Sequence, residues 1–308
     1  MKKFLVRIVV FFVAVAIIDI VFGKCCDYMY EHSCSGDSRK INYAIRKCNA
    51  DVLIMGSSRA NHHYNPQIIT DSLGISCYNL GIDGSGAILM DGFYRLITQR
   101  YVPKLIIYEL TPSFDLYQNP ADANNTRYLT QLKPYYREGC LKQLFDDVDR
   151  YERIKLNSGL YRYNTSCLNL FLSYLGHGTI DGNGYLPLVG VMGDYKPFEV
   201  ESDKKIDTLK IKYLKQLIAD CKEKGTQLLF VVSPRFGATT SIEYQPGFEI
   251  CRQSGCDVLD YYCNPNFIST KEFFKDSYHL NDVGATEFTK TIVKHLKYDT
   301  VQCTNDGI

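Results

Sequence analysis

The stretch Asp51-Val-Leu-Ile-Met-Gly-Ser-Ser-Arg59 decides the fold of this chain. Its run from Asp51 to Met55 is typical of a strand in a parallel sheet that helices cover on both faces. The residues after Met55 predict a sharp turn that presents a serine. Ligands of open parallel sheets bind outside the carboxyl ends of the strands, so we expect Ser58 at the binding edge. A serine in a turn is more often a hydrogen-bonding turn residue, so a catalytic interpretation needs further groups.

Outward from this strand, apolar runs alternate with helical patterns. The predicted strands span 52–55, 75–80, 104–110, 227–232 and 258–261. The predicted helices span 66–74, 87–100, 203–224, 245–254 and 282–296. This alternation implies βαβ units, and right-handed crossovers then give an α/β fold with a five-stranded, mainly parallel sheet in the order 2-1-3-4-5.

The regular alternation lapses between residues 113 and 200. This stretch is rich in Tyr, Asn and Gly, has helical patterns near 127–152 and 164–175, and is too long for a simple loop. We interpret it as an insertion after strand 3 that packs over the carboxyl ends of the strands, with a separate small domain as the alternative. The main domain is then expected to span 51–297, followed by a frayed tail at 298–308.

The amino-terminal segment predicts contact with a membrane. Two lysines precede an apolar run over 4–22 that Arg7 and Asp19 interrupt. About 19 residues at a rise of 1.5 Å nearly cross a hydrocarbon core of about 30 Å, so 1–23 is predicted to be an uncleaved anchor. The lysines should then stay in the cytoplasm and the rest of the chain outside. A cleaved signal peptide and a buried core helix are the alternatives. The polar, cysteine-rich residues 24–50 are predicted to form a membrane-proximal connector.

A second stretch, Lys275-Asp-Ser-Tyr-His-Leu-Asn281, supplies the groups that would activate the serine. Asp276 and His279 stand three residues apart, which brings both side chains to one side of a tight turn. The carboxylate can accept a hydrogen bond from one ring nitrogen and leave the other facing Ser58. Ser58, His279 and Asp276 are therefore the predicted nucleophile, base and orienting acid of acyl transfer through a covalent intermediate.

The composition argues against several other classes of function. The 308 residues carry a formal net charge of +1 without a basic run, which argues against a nucleic-acid partner. No CxxC pair occurs, so a structural zinc site is not expected, and serine chemistry needs no metal or organic cofactor. Twelve cysteines, an even number, suit disulfides in an oxidising compartment. The cysteines predicted to form bridges are Cys25, Cys26, Cys34, Cys251, Cys256 and Cys263.

The two stretches resemble the end blocks of the SGNH/GDSL-type hydrolases, a family with a flavodoxin-like three-layer α/β sandwich that includes esterases, lipases and acyltransferases. Gly56-Ser57-Ser58 is similar to the first block, with Ser57 where an Asp is usual, and Asp276-Ser-Tyr-His279 matches the last block. Asn79-Leu-Gly-Ile-Asp-Gly84 resembles the second block, whose glycine amide helps to form the oxyanion hole. The resemblance covers about 51–112 and 203–297.

By this resemblance, the amides of Ser58 and Gly84 form the oxyanion hole, with Gly81 as the second choice. The third block of the family usually offers an Asn after strand 3, but here the strand runs into Glu109-Leu-Thr-Pro-Ser113. A third donor then comes from Thr111, Ser113 or the insertion, or the hole has backbone donors alone.

Other polar residues near these blocks have weaker claims to function. Arg59, beside the serine, and Arg235, just after strand 4, are candidate substrate-binding residues. His62 and His63 are expected at the rim rather than as the base. A further pair, Asp51 and Glu109, is expected to have structural roles at strand ends. The glycines at 81, 84 and 86 do not follow the first strand with the spacing of a dinucleotide-binding loop.

The anchor and the resemblance together imply an extracytoplasmic serine esterase or O-acyltransferase, similar to DltD-like and alginate-acetylation-type envelope proteins. Expected substrates are acyl, chiefly acetyl, esters of cell-envelope or exported glycans, or small esters. A membrane protein that donates acyl groups is a candidate partner. The alternative is a non-catalytic SGNH-like module that binds a glycan or a partner in the same cleft.

Overall fold

The computed structural model of the protein describes residues 1–120, 125–179, 182–194 and 204–305. The strands are β1 (Val52–Gly56), β2 (Cys77–Asn79), β3 (Leu105–Glu109), β4 (Gln227–Val232) and β5 (Asp257–Asp260). The α-helices are α1 (Lys2–Glu31), α2 (Gly36–Arg46), α3 (Ser58–His63), α4 (Pro66–Leu73), α5 (Ala87–Ile97), α6 (Pro112–Asp115), α7 (Lys142–Val148), α8 (Glu152–Lys155), α9 (Gly159–Tyr163), α10 (Cys167–Tyr174), α11 (Thr208–Lys224), α12 (Gln245–Gln253) and α13 (Asp282–Asn305). Short 3₁₀-helices span Thr126–Tyr135, Gly139–Leu141, Ile242–Tyr244 and Lys271–Phe273.

The five strands form one parallel sheet in the order β2-β1-β3-β4-β5. Helices lie on both sides of the sheet, which makes the fold an α/β sandwich. The predicted fold class and strand order are therefore confirmed. The strand bounds differ slightly from the prediction, since β2 is only three residues long and β5 begins at Asp257.

Successive side chains of each strand point to opposite faces of the sheet, and both faces are buried. Ile54, Ile107 and Val231 pack in one buried cluster with Phe288 and Ile292 of α13. On the strands β3 and β4, the neighbouring Tyr108 and Phe230 rings pack against each other with their centroids 5.3 Å apart. Strands that are buried on both faces need near-continuous apolar runs, which is the pattern that predicted them.

The chain divides into two compact units. The first unit joins Met1–Tyr43 to Asn124–Ile180, and the second joins Ala44–Ala123 to Asp181–Ile308 and contains the sheet. Most of the predicted insertion therefore belongs with the amino-terminal helices. The described end of the insertion, over 182–194, belongs to the sheet unit, where Asn79 N–H donates to Asn183 O at 2.9 Å.

Helix α1 is long and apolar enough to span a membrane or to serve as a signal sequence. Its most apolar 18-residue window has a mean hydropathy of 2.8, and none of that window is buried. This exposure contradicts the alternative of a buried core helix. Instead of ending near residue 23, α1 continues to Glu31, and α2 follows, so the predicted connector 24–50 is largely helical.

The carboxyl-terminal helix is longer than predicted. Helix α13 was expected to end near Leu296 and instead runs to Asn305, so it includes most of the predicted tail. The last residues of that tail, 306–308, lie outside the described part of the chain.

The predicted disulfides are not formed in this structure. Eleven cysteines occur as thiols: Cys25, Cys26, Cys34, Cys48, Cys77, Cys140, Cys167, Cys221, Cys251, Cys256 and Cys263. Cys25 and Cys26 are consecutive residues within α1, whereas Cys251 is buried in α12. An even cysteine count therefore does not translate into bridges among the described residues.

Candidate active site

The turn after β1 has the shape that the sequence predicted. Gly56 has φ +139°, a region that favours glycine, and a Cβ at this position would lie 2.7 Å from the Glu109 carbonyl oxygen. Ser57 is the N-cap of α3, and Ser58 is the first residue of that helix. The close approach of β1 to β3 thus forces glycine at 56 and sends the next residues sharply into α3.

The three predicted catalytic side chains form a continuous chain of hydrogen bonds. Ser58 Oγ lies 2.9 Å from His279 Nε2, although 221 positions separate the two residues. His279 Nδ1 lies 3.0 Å and 3.1 Å from the two carboxylate oxygens of Asp276. With Nδ1 donating to the carboxylate, Nε2 is the acceptor that can take the serine proton.

Asp276 also organises the loop that carries His279, the predicted base. Its Oδ1 accepts hydrogen bonds from the amides of Tyr278 at 2.8 Å and of His279 at 2.9 Å. Burial of the Asp276 carboxyl acts to raise its pKa, but the bonds from the His279 ring and the two amides outweigh burial and hold that pKa below its ordinary value. The carboxylate is therefore ionised near neutral pH, while 53% of its side chain stays exposed to solvent.

Arg59 does not contact the space beside the serine. Its side chain is buried, with Nε 2.9 Å from Glu109 Oε1 and 3.1 Å from Ser233 Oγ. It also donates to the Ser233 carbonyl oxygen and, at 3.1 Å, to the Tyr244 hydroxyl. The predicted substrate contact by Arg59 is therefore corrected to a structural ion pair, because every group it meets lies inside the protein.

Glu109 is the centre of this buried cluster at the end of β3. Its carboxylate accepts from the Tyr64 hydroxyl, from the Ser233 amide at 3.1 Å and from the Ser233 hydroxyl at 2.7 Å. Burial raises the pKa of Glu109, and Arg59 together with these hydrogen bonds opposes that rise. The predicted structural role of Glu109 thus agrees with its position, and the same cluster fixes α3 to the ends of β3 and β4.

His62 and His63 flank His279 but are both buried, so the predicted rim position is wrong. His63 Nε2 accepts from the Leu280 amide at 3.0 Å, which leaves Nδ1 to donate to Ser233 Oγ at 2.7 Å. Burial, followed by the nearby charge of Arg59, holds the pKa of His63 well below its ordinary value. His63 is therefore a neutral bridge between the base-bearing loop and the Glu109 cluster.

Arg235 is buried beneath the base-bearing loop. Its guanidinium carbon lies 3.9 Å from the centre of the Tyr278 ring, and Nη1 donates to the Tyr262 hydroxyl at 2.9 Å. The next amide, of Phe236, donates to the Ser277 carbonyl oxygen at 3.2 Å. These contacts favour a role in holding the loop over the predicted role in binding substrate.

The two glycines considered for the oxyanion hole differ in how their amides are used. The Gly81 amide donates to Asn79 Oδ1 at 2.9 Å, so it is already engaged. Gly84 is half-buried, has φ +68° and follows Asp83. The Asp83 carboxylate lies 2.8 Å from Asn61 Nδ2, one turn of helix after Ser58. This placement favours Gly84 over Gly81 as the second backbone donor.

Thr111, one candidate for the third donor, lies beside Ser57, the residue before Ser58. Its hydroxyl oxygen is 2.7 Å from Ser57 Oγ. One of these two hydroxyl groups donates its hydrogen to the other, so the second hydroxyl hydrogen remains available to a further acceptor. Ser113, by contrast, is exposed, and its carbonyl oxygen accepts from buried Lys210 at 2.9 Å. Thr111 is the better placed of the two.

Sequence reasoning did not identify Ser233, Tyr278 and Asp83 as parts of the site. Ser233 and Tyr278 stand beside predicted residues, in the turn after β4 and in the Asp276 loop, so their position in the sequence was the available signal. Asp83 falls within the second block, where it contacts His62 Nε2 at 3.3 Å. In the described part of the chain, no group of three or more His, Cys, Asp or Glu residues has the geometry of a metal site.

No protein-family model matches this chain, and no curated protein sequence matches it. The interpretation of the candidate site therefore rests on its geometry.

Proposed function

We propose that this protein is a serine esterase or O-acyltransferase of the SGNH type that acts on acyl esters of cell-envelope or exported glycans. The observation that carries the proposal is the hydrogen-bonded chain from Ser58 through His279 to Asp276. Nucleophile, base and orienting acid within hydrogen-bond reach are what covalent acyl transfer requires.

In the proposed reaction, Ser58 Oγ attacks the ester carbonyl carbon while its proton passes to His279 Nε2. The tetrahedral intermediate collapses, the bond to the leaving alcohol breaks, and His279 returns the proton to that alcohol. Water or a sugar hydroxyl then attacks the acyl-serine while its proton passes to His279 Nε2. The bond from the acyl group to Ser58 Oγ breaks and His279 returns the proton to Oγ, which gives hydrolysis or transfer. Asp276 holds the ring in one tautomer and stabilises its charged form.

The proposed oxyanion hole uses the amides of Ser58 and Gly84, with the hydroxyl pair of Ser57 and Thr111 as the source of a third donor. Donors fixed before the reaction stabilise the developing negative charge without reorganisation. In the Ser57–Thr111 pair, one hydroxyl hydrogen is not used in the contact between the two residues, and this supports the assignment. Together these groups would stand in for the asparagine that the related family carries after strand 3.

The substrate class is inferred from the exposure of the site and from α1. The Asp276 side chain is largely exposed and the Ser58 side chain is partly exposed, which suits an ester displayed on a polymer. Helix α1 supports the proposal that the protein is anchored in a membrane with the sheet unit outside the cytoplasm. A membrane protein that supplies acyl groups is the proposed partner in the case of transfer.

The decisive experiment is covalent trapping with a fluorophosphonate, measured by the intact mass of the full-length protein. The wild type should gain one phosphonyl adduct, Ser58→Ala should gain none, and Ser57→Ala is the matched control that should still be labelled. Labelling of Ser58→Ala but not of Ser57→Ala would move the nucleophile by one residue. A folded wild type that stays unlabelled would favour the non-catalytic binding module.

A further inference from the structure

Asp19, the acidic residue near the end of the apolar run of α1, binds the beginning of α9. Its carboxylate accepts hydrogen bonds from Ser158 Oγ at 2.7 Å, from the Gly159 amide at 3.1 Å and from the Leu160 amide at 2.8 Å. A carboxylate beside a bilayer is costly unless such partners compensate it. Asp19 therefore joins α1 to the beginning of α9.

Two further contacts fix α9 along the same side of α1. A Cβ on Gly159 would lie 2.4 Å from Gly23 Cα, so the two backbones approach as closely as glycine allows. One turn further, Arg162 pairs with Asp27 at 2.9 Å. Helix α9 thus lies at the level where the apolar run of α1 gives way to polar residues.

Helix α10 continues from this junction and exposes an apolar face. Tyr174 of α10 lies near Tyr28 of α1, with ring centroids 6.1 Å apart, whereas Leu170 faces inward and is buried. The opposite side carries four large apolar side chains at spacings of three, four and seven residues, which is one helical face. Their exposures are Leu168 66%, Phe171 47%, Leu172 39% and Leu175 51%. Leu160, beside Asp19, is exposed as well.

We infer that this α10 face (Leu168, Phe171, Leu172 and Leu175) lies in the interface of the bilayer and is a second membrane contact beside α1. The inference rests on the proposed insertion of α1. Tyr28 stands six residues beyond Phe22, so α10 lies within about 9 Å of the end of the apolar run. The headgroup region extends about 5–8 Å beyond the hydrocarbon core on each side, so the apolar face of α10 is within reach of it. Amphipathic helices that lie flat on a membrane bury their apolar face in this region.

The exposed apolar surface of α1 favours the bilayer, rather than another protein, as the partner of the α10 face. The apolar run of α1, Leu160 of α9 and the α10 face all expose large apolar side chains. Large exposed apolar surfaces usually mark a site of interaction. A surface that adjoins a bilayer-facing helix meets lipid without any further assembly.

The test uses the absence of tryptophan from the chain, which makes any introduced tryptophan a unique reporter. Full-length protein carrying Phe171→Trp is reconstituted in phosphatidylcholine vesicles with bromines near the headgroup end or near the methyl end of the acyl chains. Val13→Trp reports on α1, and Ile242→Trp, an exposed apolar position of the sheet unit, is the control. Circular dichroism checks the fold of each variant.

Phe171→Trp should be blue-shifted and lose more emission to the shallow bromines, whereas Val13→Trp should lose more to the deep bromines. The inference is overturned if bromines quench Val13→Trp while they quench Phe171→Trp no more than Ile242→Trp. In that case α1 contacts the bilayer and the α10 face does not. Blue-shifted Phe171→Trp emission without bromine quenching would indicate a protein partner, such as a second copy, and would also overturn it. If Val13→Trp is unquenched, the anchor itself is wrong and the inference falls with it.

Discussion

Arg59 Nε and Glu109 Oε1 lie 2.9 Å apart in an ion pair that is closed to solvent, directly after the partly exposed Ser58. The two consecutive side chains of α3 therefore make different kinds of contact. Ser58 contacts His279, whereas Arg59 ties the helix to β3. The position of Ser58, the proposed nucleophile, depends on a buried charge pair.

Removing one charge of this pair should destabilise the protein strongly. Glu109→Gln should lower the free energy of unfolding by about 3–5 kcal/mol, because it leaves the Arg59 charge buried without its counterion. Urea unfolding of the purified protein, followed by circular dichroism, measures the effect. Asp51→Asn is the matched control: it breaks a solvent-exposed pair with Lys104 and should cost no more than about 1 kcal/mol. Equal losses in the two variants would contradict the assignment.

The triad predicts non-additive losses of activity. Ser58→Ala and His279→Ala should each lower kcat by up to the order of 10⁶, and the double variant should be little worse, because the two groups act as one unit. Asp276→Asn should lose less, since the imidazole remains but can settle in the wrong tautomer. Steady-state hydrolysis of an activated acetyl ester is the measurement. Losses that multiply in the double variant would mean that the two residues act separately.

Arg235 should affect kcat rather than KM. Arg235→Met removes the contact with the Tyr278 ring and so loosens the loop that carries His279. A cation–π contact contributes about 0.5–2 kcal/mol, so the expected loss in kcat is about twofold to thirtyfold. Tyr278→Phe keeps the ring and should retain most of the activity. A rise in KM at constant kcat would instead restore the predicted role of Arg235 in binding substrate.

The proposed orientation of α1 can be tested in intact cells. With Lys2 and Lys3 in the cytoplasm, a tag fused after Ile308 should be digested by external protease once any outer barrier is permeabilised. A tag placed before Met1 serves as the protected control in the same cells. Complete protection of the carboxyl-terminal tag would reverse the proposed topology.

Asp91 should make stability depend on pH. This carboxyl is buried in α5 beside Arg95, and burial raises its pKa from 3.8 to about 7. The folded chain therefore keeps a proton that the unfolded chain releases, and the associated stability is full below about pH 4 and lost as pH rises to about 7. The decline should be on the order of 4 kcal/mol at most. Urea unfolding measured between pH 4 and pH 7 gives the free energy of unfolding as a function of pH, and Asp91→Asn should reduce its decline over that range. An unchanged slope would assign the pH dependence to other groups.

The sheet and the hydrogen-bonded approach of Ser58, His279 and Asp276 were predictable because local patterns encode them. Continuous apolar runs specify buried parallel strands, and Asp276 and His279 stand near enough in sequence to be paired by spacing alone. The surroundings of Arg59 were not predictable in the same way. An arginine after a partly exposed serine gives no sign that Glu109, at the end of β3, and Ser233, directly after β4, will enclose it.

The length of α1 was underestimated for a similar reason. Residues 24–31 look polar in isolation, and their helix is held by contacts such as Asp27 with Arg162, which lies 135 positions away. The predicted disulfides failed for the same reason, because pairing depends on distances in space that a count does not contain. Local sequence therefore predicts elements well and their distant partners poorly.

The order of the strands has a consequence for how the chain is made. The sheet pairs β3 with β1 and with β4, but Gln227 of β4 is synthesised 118 positions after Glu109 of β3. At about 5–20 residues per second, the free edge of β3 waits roughly 6–24 s for its partner. An unpaired strand edge is a template for aggregation during that interval. The nascent chain should therefore need a chaperone while its three-stranded half-sheet stays open, and His279, the proposed base, is synthesised only after β4 and β5.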